Sequence, residues 1–228
     1  MGWLRAKLQL SLYVVRSIAR RGLWRTAKIV WFEFYCEWQF GAGTGGIIGA
    51  NDLDGDTETL AHASASFPSS FLVLHEVVRC GLPSCEGRVL VDLGCGRGRA
   101  LMFFATLPLQ KVIGVEFSQS LCRTATDNMR RFYCKNARTM PEWEIVNCDA
   151  RHFDVPDDAT IFYLFNPFDA VVLREVMRNI VRSIRRQPRE CTIVYANPVH
   201  AGELFNWGMV RTSSTTQDFA IFKIGPDI

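Results

Sequence analysis

Short apolar runs at residues 89–93, 111–117, 143–150, 160–165, 191–196 and 219–224 dominate the hydropathy pattern of this chain. Each is strand-length, rich in Val, Ile and Phe, and too short for a core helix. Between them lie stretches such as 118–133, and the segment after Asn166, whose apolar residues recur every three or four positions. This alternation predicts an α/β domain with buried, mostly parallel strands. The final run is expected to pair with a segment near residues 209–214. Upstream, Leu72, Val73, Val77 and Val78 fit one face of a helix preceded by serines, which are good N-caps. Further upstream, Leu4, Leu8, Leu12, Val15, Ala19 and Leu23 form an apolar helical face flanked by arginines.

Chemistry enters where the first strand ends. The sequence Asp92-Leu93-Gly94-Cys95-Gly96-Arg97-Gly98-Arg99 follows an apolar run directly. Glycines at alternate positions allow a tight turn and the close approach of a ligand, with the next helix aiming its free N–H groups at that ligand. A dinucleotide fold needs G-x-G-x-x-G, and Arg99 occupies the third glycine position, so nicotinamide is disfavoured. A triphosphate loop needs Gly-Lys-Ser/Thr, which the chain lacks. Two further strands are read as ending in acids. Glu116 lies 22 residues after Gly94, one βαβ unit away, where a carboxylate can accept both hydroxyls of a ribose. Asp149 ends the third run. The fourth and fifth runs end in Asn166-Pro167-Phe168-Asp169 and Asn197-Pro198-Val199-His200, both rigid turns.

Together these stretches resemble the class I S-adenosylmethionine-dependent methyltransferases. The Asp-Leu-Gly-x-Gly-x-Gly-Arg-Ala, Ile-Gly-Val-Glu-Phe-Ser and Tyr-Leu-x-Asn-Pro-Phe-Asp runs, with a late Asn-Pro, are similar to those of an uncharacterised bacterial branch of that family. The resemblance spans roughly residues 40 to 225. It implies a Rossmann-like, seven-stranded, mostly parallel sheet flanked by helices, with an antiparallel terminal strand. It implies S-adenosylmethionine as cofactor, held by Asp92, Gly94, Cys95, Gly96 and Gly98 at the methionine part and by Glu116 at the ribose, with Phe117 and Asn166 also among its contacts. Asp149 and Ala150 would take the adenine. Asn166 and Phe168 would grip the acceptor, as in a shortened relative of the Asn-Pro-Pro-aromatic element of amino-methyltransferases. Asp169 or His200 would take a proton, and Ser69 and Ser70 match a cofactor-contacting element in part. A nitrogen acceptor is favoured. A protein-lysine methyltransferase is the alternative enzyme, and a noncatalytic cofactor-binding or membrane-recruited module the alternative of another class. Protein, RNA and small molecules all remain open as acceptors.

Composition refines the picture at the N-terminus. The formal charge of +3 conceals an asymmetry: Arg5, Lys7, Arg16, Arg20, Arg21, Arg25 and Lys28 precede the first acid, Glu33, and the remainder is net acidic. With Trp3, Trp24, Trp31 and Trp38 this basic segment suits either an arm packed over the body, a helix on an anionic membrane surface, or an Arg-rich mitochondrial presequence. Arginines interrupt it too often for a spanning helix. We expect a basic helical arm over 1–40, a Gly/Asp-rich linker over 41–60, and the methyltransferase domain over 61–228. The eight cysteines lack C-x-x-C spacing and read as buried thiols of a reducing, cytoplasmic compartment. No histidine has ligand spacing to paired cysteines, and Asp52, Asp54, Asp56 and Glu58 miss the calcium-loop register, so no metal is expected. Arg174, Arg178, Arg182 and Arg186 form a helical stripe that reads as a solvated face before it reads as an RNA contact.

Overall fold

The computed structural model describes residues 18–19, 22–41, 43–46, 48–49, 53–55, 57–62, 68–82, 84–136, 140–208 and 210–226. Most of the leader pattern (Leu4 to Val15, Trp3, Arg20 and Arg21), along with Asp52, Asp56 and Met209, lies outside them.

Seven strands form one sheet: β1 (Val89–Leu93), β2 (Lys111–Glu116), β3 (Glu142–Asn147), β4 (Ala159–Phe165), β5 (Cys191–Ala196), β6 (Val210–Thr215) and β7 (Phe219–Ile224). Their order is β3-β2-β1-β4-β5-β7-β6. Strands β1 to β5 are parallel, and β7 runs antiparallel to both of its neighbours. This is the Rossmann-like arrangement. The chain leaves β1 toward β2 on one side and β4 toward β5 on the other, which opens a crevice at their carboxyl ends.

Alternation within the strands feeds two cores. Leu90, Val112, Ile161, Tyr163, Val194 and Ile221 pack beneath α1 (Leu23–Phe40), α3 (Phe71–Gly81), α4 (Arg99–Phe104) and α5 (Gln119–Lys135). Val91, Leu93, Ile113, Phe162, Ile193 and Phe222 pack beneath α6 (Ala170–Arg186). In α6 the residues Val172, Leu173, Val176, Met177, Ile180, Val181 and Ile184 form the buried stripe that the spacing predicts. Edge position explains why β3 and β6 are largely exposed while β1 and β5 are buried throughout.

Helix α1 rests on the body. Its Phe40 ring stacks between Phe71 and Phe132, at centroid distances of 5.1 and 5.2 Å, and Gly41 ends it in the left-handed conformation at φ 62°. A short helix α2 (Thr57–His62) follows the glycine-rich stretch. The expected N-cap of α3 is present by position only: Ser70 makes no side-chain cap bond, and Glu33 Oε1 of α1 instead accepts from Phe71 N at 2.8 Å. A carboxylate there suits the helix N-terminus.

Two expectations need correction. The third strand stops at Asn147, because the Asp149 carboxylate accepts from Arg151 N and caps a 3-10 turn over Ala150–His152. Cys80 and Cys134 are exposed and Cys148 half-buried, although all eight thiols are free. The arginine stripe of α6 is a solvated face, as expected, and carries surface ion pairs: Arg174 with Glu203, Arg178 with Glu175, and Arg186 with Asp154 and Asp157.

Candidate active site

The turn after β1 is built from backbone that other residues resist. Gly94, Gly96 and Gly98 have φ of 83°, 55° and 82°, a region costly for residues with a Cβ. Val115 O of β2 accepts from Gly94 N and Cys95 N at 2.8 and 3.0 Å, which pins the turn to its neighbouring strand. Asn128 Nδ2 of α5 donates to Arg97 O at 2.9 Å and holds the far side.

A solvent-open cleft lies over this turn. Among the predicted residues, Asp92, Gly94, Cys95, Gly96, Glu116, Phe117, Ala150, Phe168 and Ser69 line it. Asp92 is 2% exposed, and its Oδ2 has no hydrogen-bond partner. Burial, with the nearby Glu116 charge adding to it, pushes its carboxyl up to about 8. The Glu116 carboxylate is also buried; Oε2 accepts from Gly96 N and Oε1 from Ser118 N, both at 3.0 Å. Burial raises its pKa, and those N–H donors oppose the rise. The Tyr163 hydroxyl, beside Asp92 in register, donates to Ser69 Oγ at 2.8 Å and fixes the segment before α3 against the sheet.

Other predicted residues stand outside the lining. Asp149 Oδ2 accepts from Arg151 Nε, Arg151 Nη2 and Thr59 Oγ1 at 2.9, 2.8 and 3.1 Å, so its carboxylate faces an ion pair while Cys148 and Ala150 face the cleft. Gly98 caps α4, and Ser70 Oγ is buried without a partner. Asp169 Oδ1 accepts from Val171 N and Val172 N, the ordinary work of an N-cap. Asn166 is flanked by lining residues Phe165, Pro167 and Phe168. It takes φ 42°, and Asn197 of the matching turn takes φ 49°. Both precede proline, where such backbone is strained, and asparagine tolerates it best. Tyr195 joins the two turns: its hydroxyl donates to Asn166 Oδ1 at 2.9 Å and accepts from His200 N at 3.3 Å.

The structure adds Thr44, Leu53, Pro68, Arg97, Arg99 and Tyr163 to the cleft. Arg99 is the most connected. Only 6% exposed, it pairs with Glu33 and Glu37 of α1, and its Nε donates to Thr44 Oγ1 at 2.9 Å. Its guanidinium also lies 4.7 Å from the Phe71 ring centroid. Its place in the third-glycine position was the sole local signal, since none of these partners is near it in sequence. Asp54 is similar: it accepts from Ser118 and Ser120 hydroxyls at the start of α5, which holds its carboxyl well below the usual range.

Comparison with known proteins bears on the domain and its fold. Residues 90–187, from β1 through α6, match the family model described as a methyltransferase domain. The match covers less than half of the chain. Asp92, the glycine turn, Glu116, Asp149 and Asn166 all fall within the matched span. An uncharacterized protein of Haemophilus influenzae is 26% identical over 95 residues, which is 40% of this chain and 37% of that protein. The chain thus aligns with little more than a third of that curated relative. Among solved structures, precorrin 8W decarboxylase of Methanobacterium thermoautotrophicum superposes with TM-score 0.51 at 16% identity, over 71% of this chain and 93% of the other. A candidate RNA methyltransferase of Pyrococcus horikoshii gives 0.51 at 14% identity, over 78% and 96%. A Streptococcus agalactiae protein of the NADB-Rossmann superfamily gives 0.51 at 13%, over 67% of each chain. At these identities the likeness is one of fold alone, and it agrees with the strand order of the sheet. Among the described residues no group of His, Cys, Asp and Glu could hold a metal ion.

Proposed function

We propose that this chain transfers a methyl group from S-adenosylmethionine to a nucleophilic acceptor, with nitrogen the preferred atom. The observation that carries the reading is Asp92 Oδ2: a buried carboxylate oxygen without a partner, beside a turn of three left-handed glycines. Such an oxygen is costly unless a cationic or N–H group completes it, and the α-amino group of the cofactor has that chemistry.

S-adenosylmethionine, when bound, supplies an electrophilic methyl on a sulfonium. The chain's own residues then bind, align and exclude water. Asp92 Oδ2 accepts from the α-ammonium, and the left-handed backbone at Gly94 and Gly96 turns the chain tightly beneath the methionine part. Each Glu116 oxygen keeps a lone pair beyond its backbone donor and accepts from a ribose hydroxyl. Phe117 and Ala150 border the adenine, a role in which the Arg151-bound Asp149 carboxylate serves only to shape the turn. Asn166, its side chain oriented by Tyr195, and Phe168 receive the acceptor. Asp169 is taken up as the N-cap of α6, which leaves His200, in the turn after β5 with its backbone N–H on the Tyr195 hydroxyl, as the other candidate base for an acceptor that carries a proton.

Calorimetry with S-adenosylmethionine tests the reading. The intact chain should bind it, and Glu116→Ala should weaken binding by at least about tenfold, the equivalent of 1.4 kcal/mol. No binding to the intact chain would overturn the enzyme and leave a noncatalytic module. Labelled methyl transfer into protein, RNA and small-molecule fractions then names the acceptor.

A further inference from the structure

The two faces of α1 differ sharply. One face carries Thr26, Glu33, Cys36, Glu37 and Phe40 against the body, through the Phe40 stack and the Arg99 ion pairs. The opposite face carries Trp24, Trp31, Phe34, Tyr35 and Trp38, exposed at 90, 64, 74, 45 and 81%. Trp31 and Tyr35 stack on each other there, with ring centroids 5.6 Å apart. At 100° per residue these five, with Leu23 and Lys28, occupy one continuous stripe. Both acids of the helix point inward at Arg99, so the stripe holds one base and no acid. A contiguous aromatic surface of this kind marks an interaction site.

We infer that the outward stripe of α1 docks on a membrane surface rich in anionic lipid. Charge complementarity selects this occupant: seven bases fall between residues 5 and 28 and no acid occurs before Glu33. Tryptophan rings sit at the headgroup level, and flanking bases meet lipid phosphates. A second copy fits poorly, because a twofold pairing of this stripe brings two such acid-free segments together. Among the described helices none is long and apolar enough to cross a membrane, which leaves α1 lying in the interface. The membrane surface would then stand one helix diameter, roughly 10 Å, from Arg99 at the edge of the cleft. This inference is independent of the methyl-transfer reading.

Sedimentation of the full chain with vesicles tests it. The protein should pellet with vesicles of phosphatidylcholine and phosphatidylserine, pellet poorly with phosphatidylcholine alone, and be released by high salt. Vesicle addition should shift tryptophan emission to the blue. The variant Trp24→Ala/Trp31→Ala/Trp38→Ala should bind at least about tenfold more weakly, with unchanged circular dichroism. Lys28→Glu, which leaves the apolar stripe intact, should lose on the order of fivefold per charge unit removed, and decides the matter if the triple variant fails to fold. Failure of the parent protein to pellet with anionic vesicles overturns the inference, as does equal binding by the variants. A parent dimer that the triple variant converts to monomer would overturn it too, by assigning the stripe to a second copy.

Discussion

Gly94 and Pro167 close on each other across the switch point of the sheet: a Cβ at residue 94 would stand 2.4 Å from Pro167 Cβ. The turn after β1 and the Asn-Pro turn after β4 are thereby fitted to one another, the first side of the cleft to the second. Gly94 also has φ 83°, so Gly94→Ala incurs both a clash with a rigid ring and a backbone penalty. We expect a loss of about 2–4 kcal/mol in denaturant melts, and cofactor binding below detection by calorimetry in the folded fraction. A variant that melts and binds like the parent would separate the two turns.

Asp92 makes stability depend on pH in an unusual direction. Its pKa is near 3.8 when solvated and about 8 in the folded protein. Between these values the folded state retains a proton that the unfolded state has released, so this group's contribution to stability falls as pH rises from about 4 to about 8, then levels off. Asp92→Asn removes that dependence. At pH 8 the variant should be more stable than the parent, by about 1–3 kcal/mol, while losing cofactor affinity. Melting temperatures across pH 5 to 9 check the first statement, and calorimetry the second. A destabilised Asp92→Asn at pH 8 would mean that the carboxylate has a partner in the folded protein.

Much of this was legible in the sequence, for definite reasons. The runs that became β1, β4 and β5 are buried on both faces, so they read as uninterrupted apolar segments, and Glu116 stands one βαβ unit from Gly94, where repetition of the motif places it. Asp149 misled because Arg151, two residues on, captures its carboxylate in a local turn that competes with the cleft. Arg99 was illegible as a hub because its partners Thr44, Glu37 and Glu33 lie 55, 62 and 66 residues away. No periodicity reports a long-range ion pair.

That ion-pair cluster predicts how α1 detaches. Arg99→Leu leaves Glu33 and Glu37 without their cation and Thr44 without its donor. The two glutamates are partly exposed, at 25 and 34%, so water compensates in part and the cost should be about 2–3 kcal/mol, short of a fully buried pair. Limited proteolysis should then cut within residues 23–46 before the body yields, whereas the parent resists there. Simultaneous digestion of both would show that α1 and the sheet unfold as one unit.

The Asn166–Tyr195–His200 chain gives the sharpest test of the acceptor side. Tyr195→Phe deletes one oxygen, which removes the donor to Asn166 Oδ1 and the acceptor of His200 N while leaving the buried ring in place. Neither partner touches the cofactor end of the cleft, where Asp92 and Glu116 lie. On the acceptor found by label transfer, turnover should therefore fall about tenfold, equivalent to the roughly 1.4 kcal/mol of one hydrogen bond, with S-adenosylmethionine affinity unchanged. Asn166→Ala should fall further and likewise retain cofactor affinity, and Tyr195→Phe should slow that variant less than it slows the parent, because only the bond from His200 N is then left to lose. If Tyr195→Phe slowed the Asn166→Ala enzyme as much as it slows the parent, the tyrosine would act on the reaction by a separate route, and Asn166 would lose its place as the residue it positions.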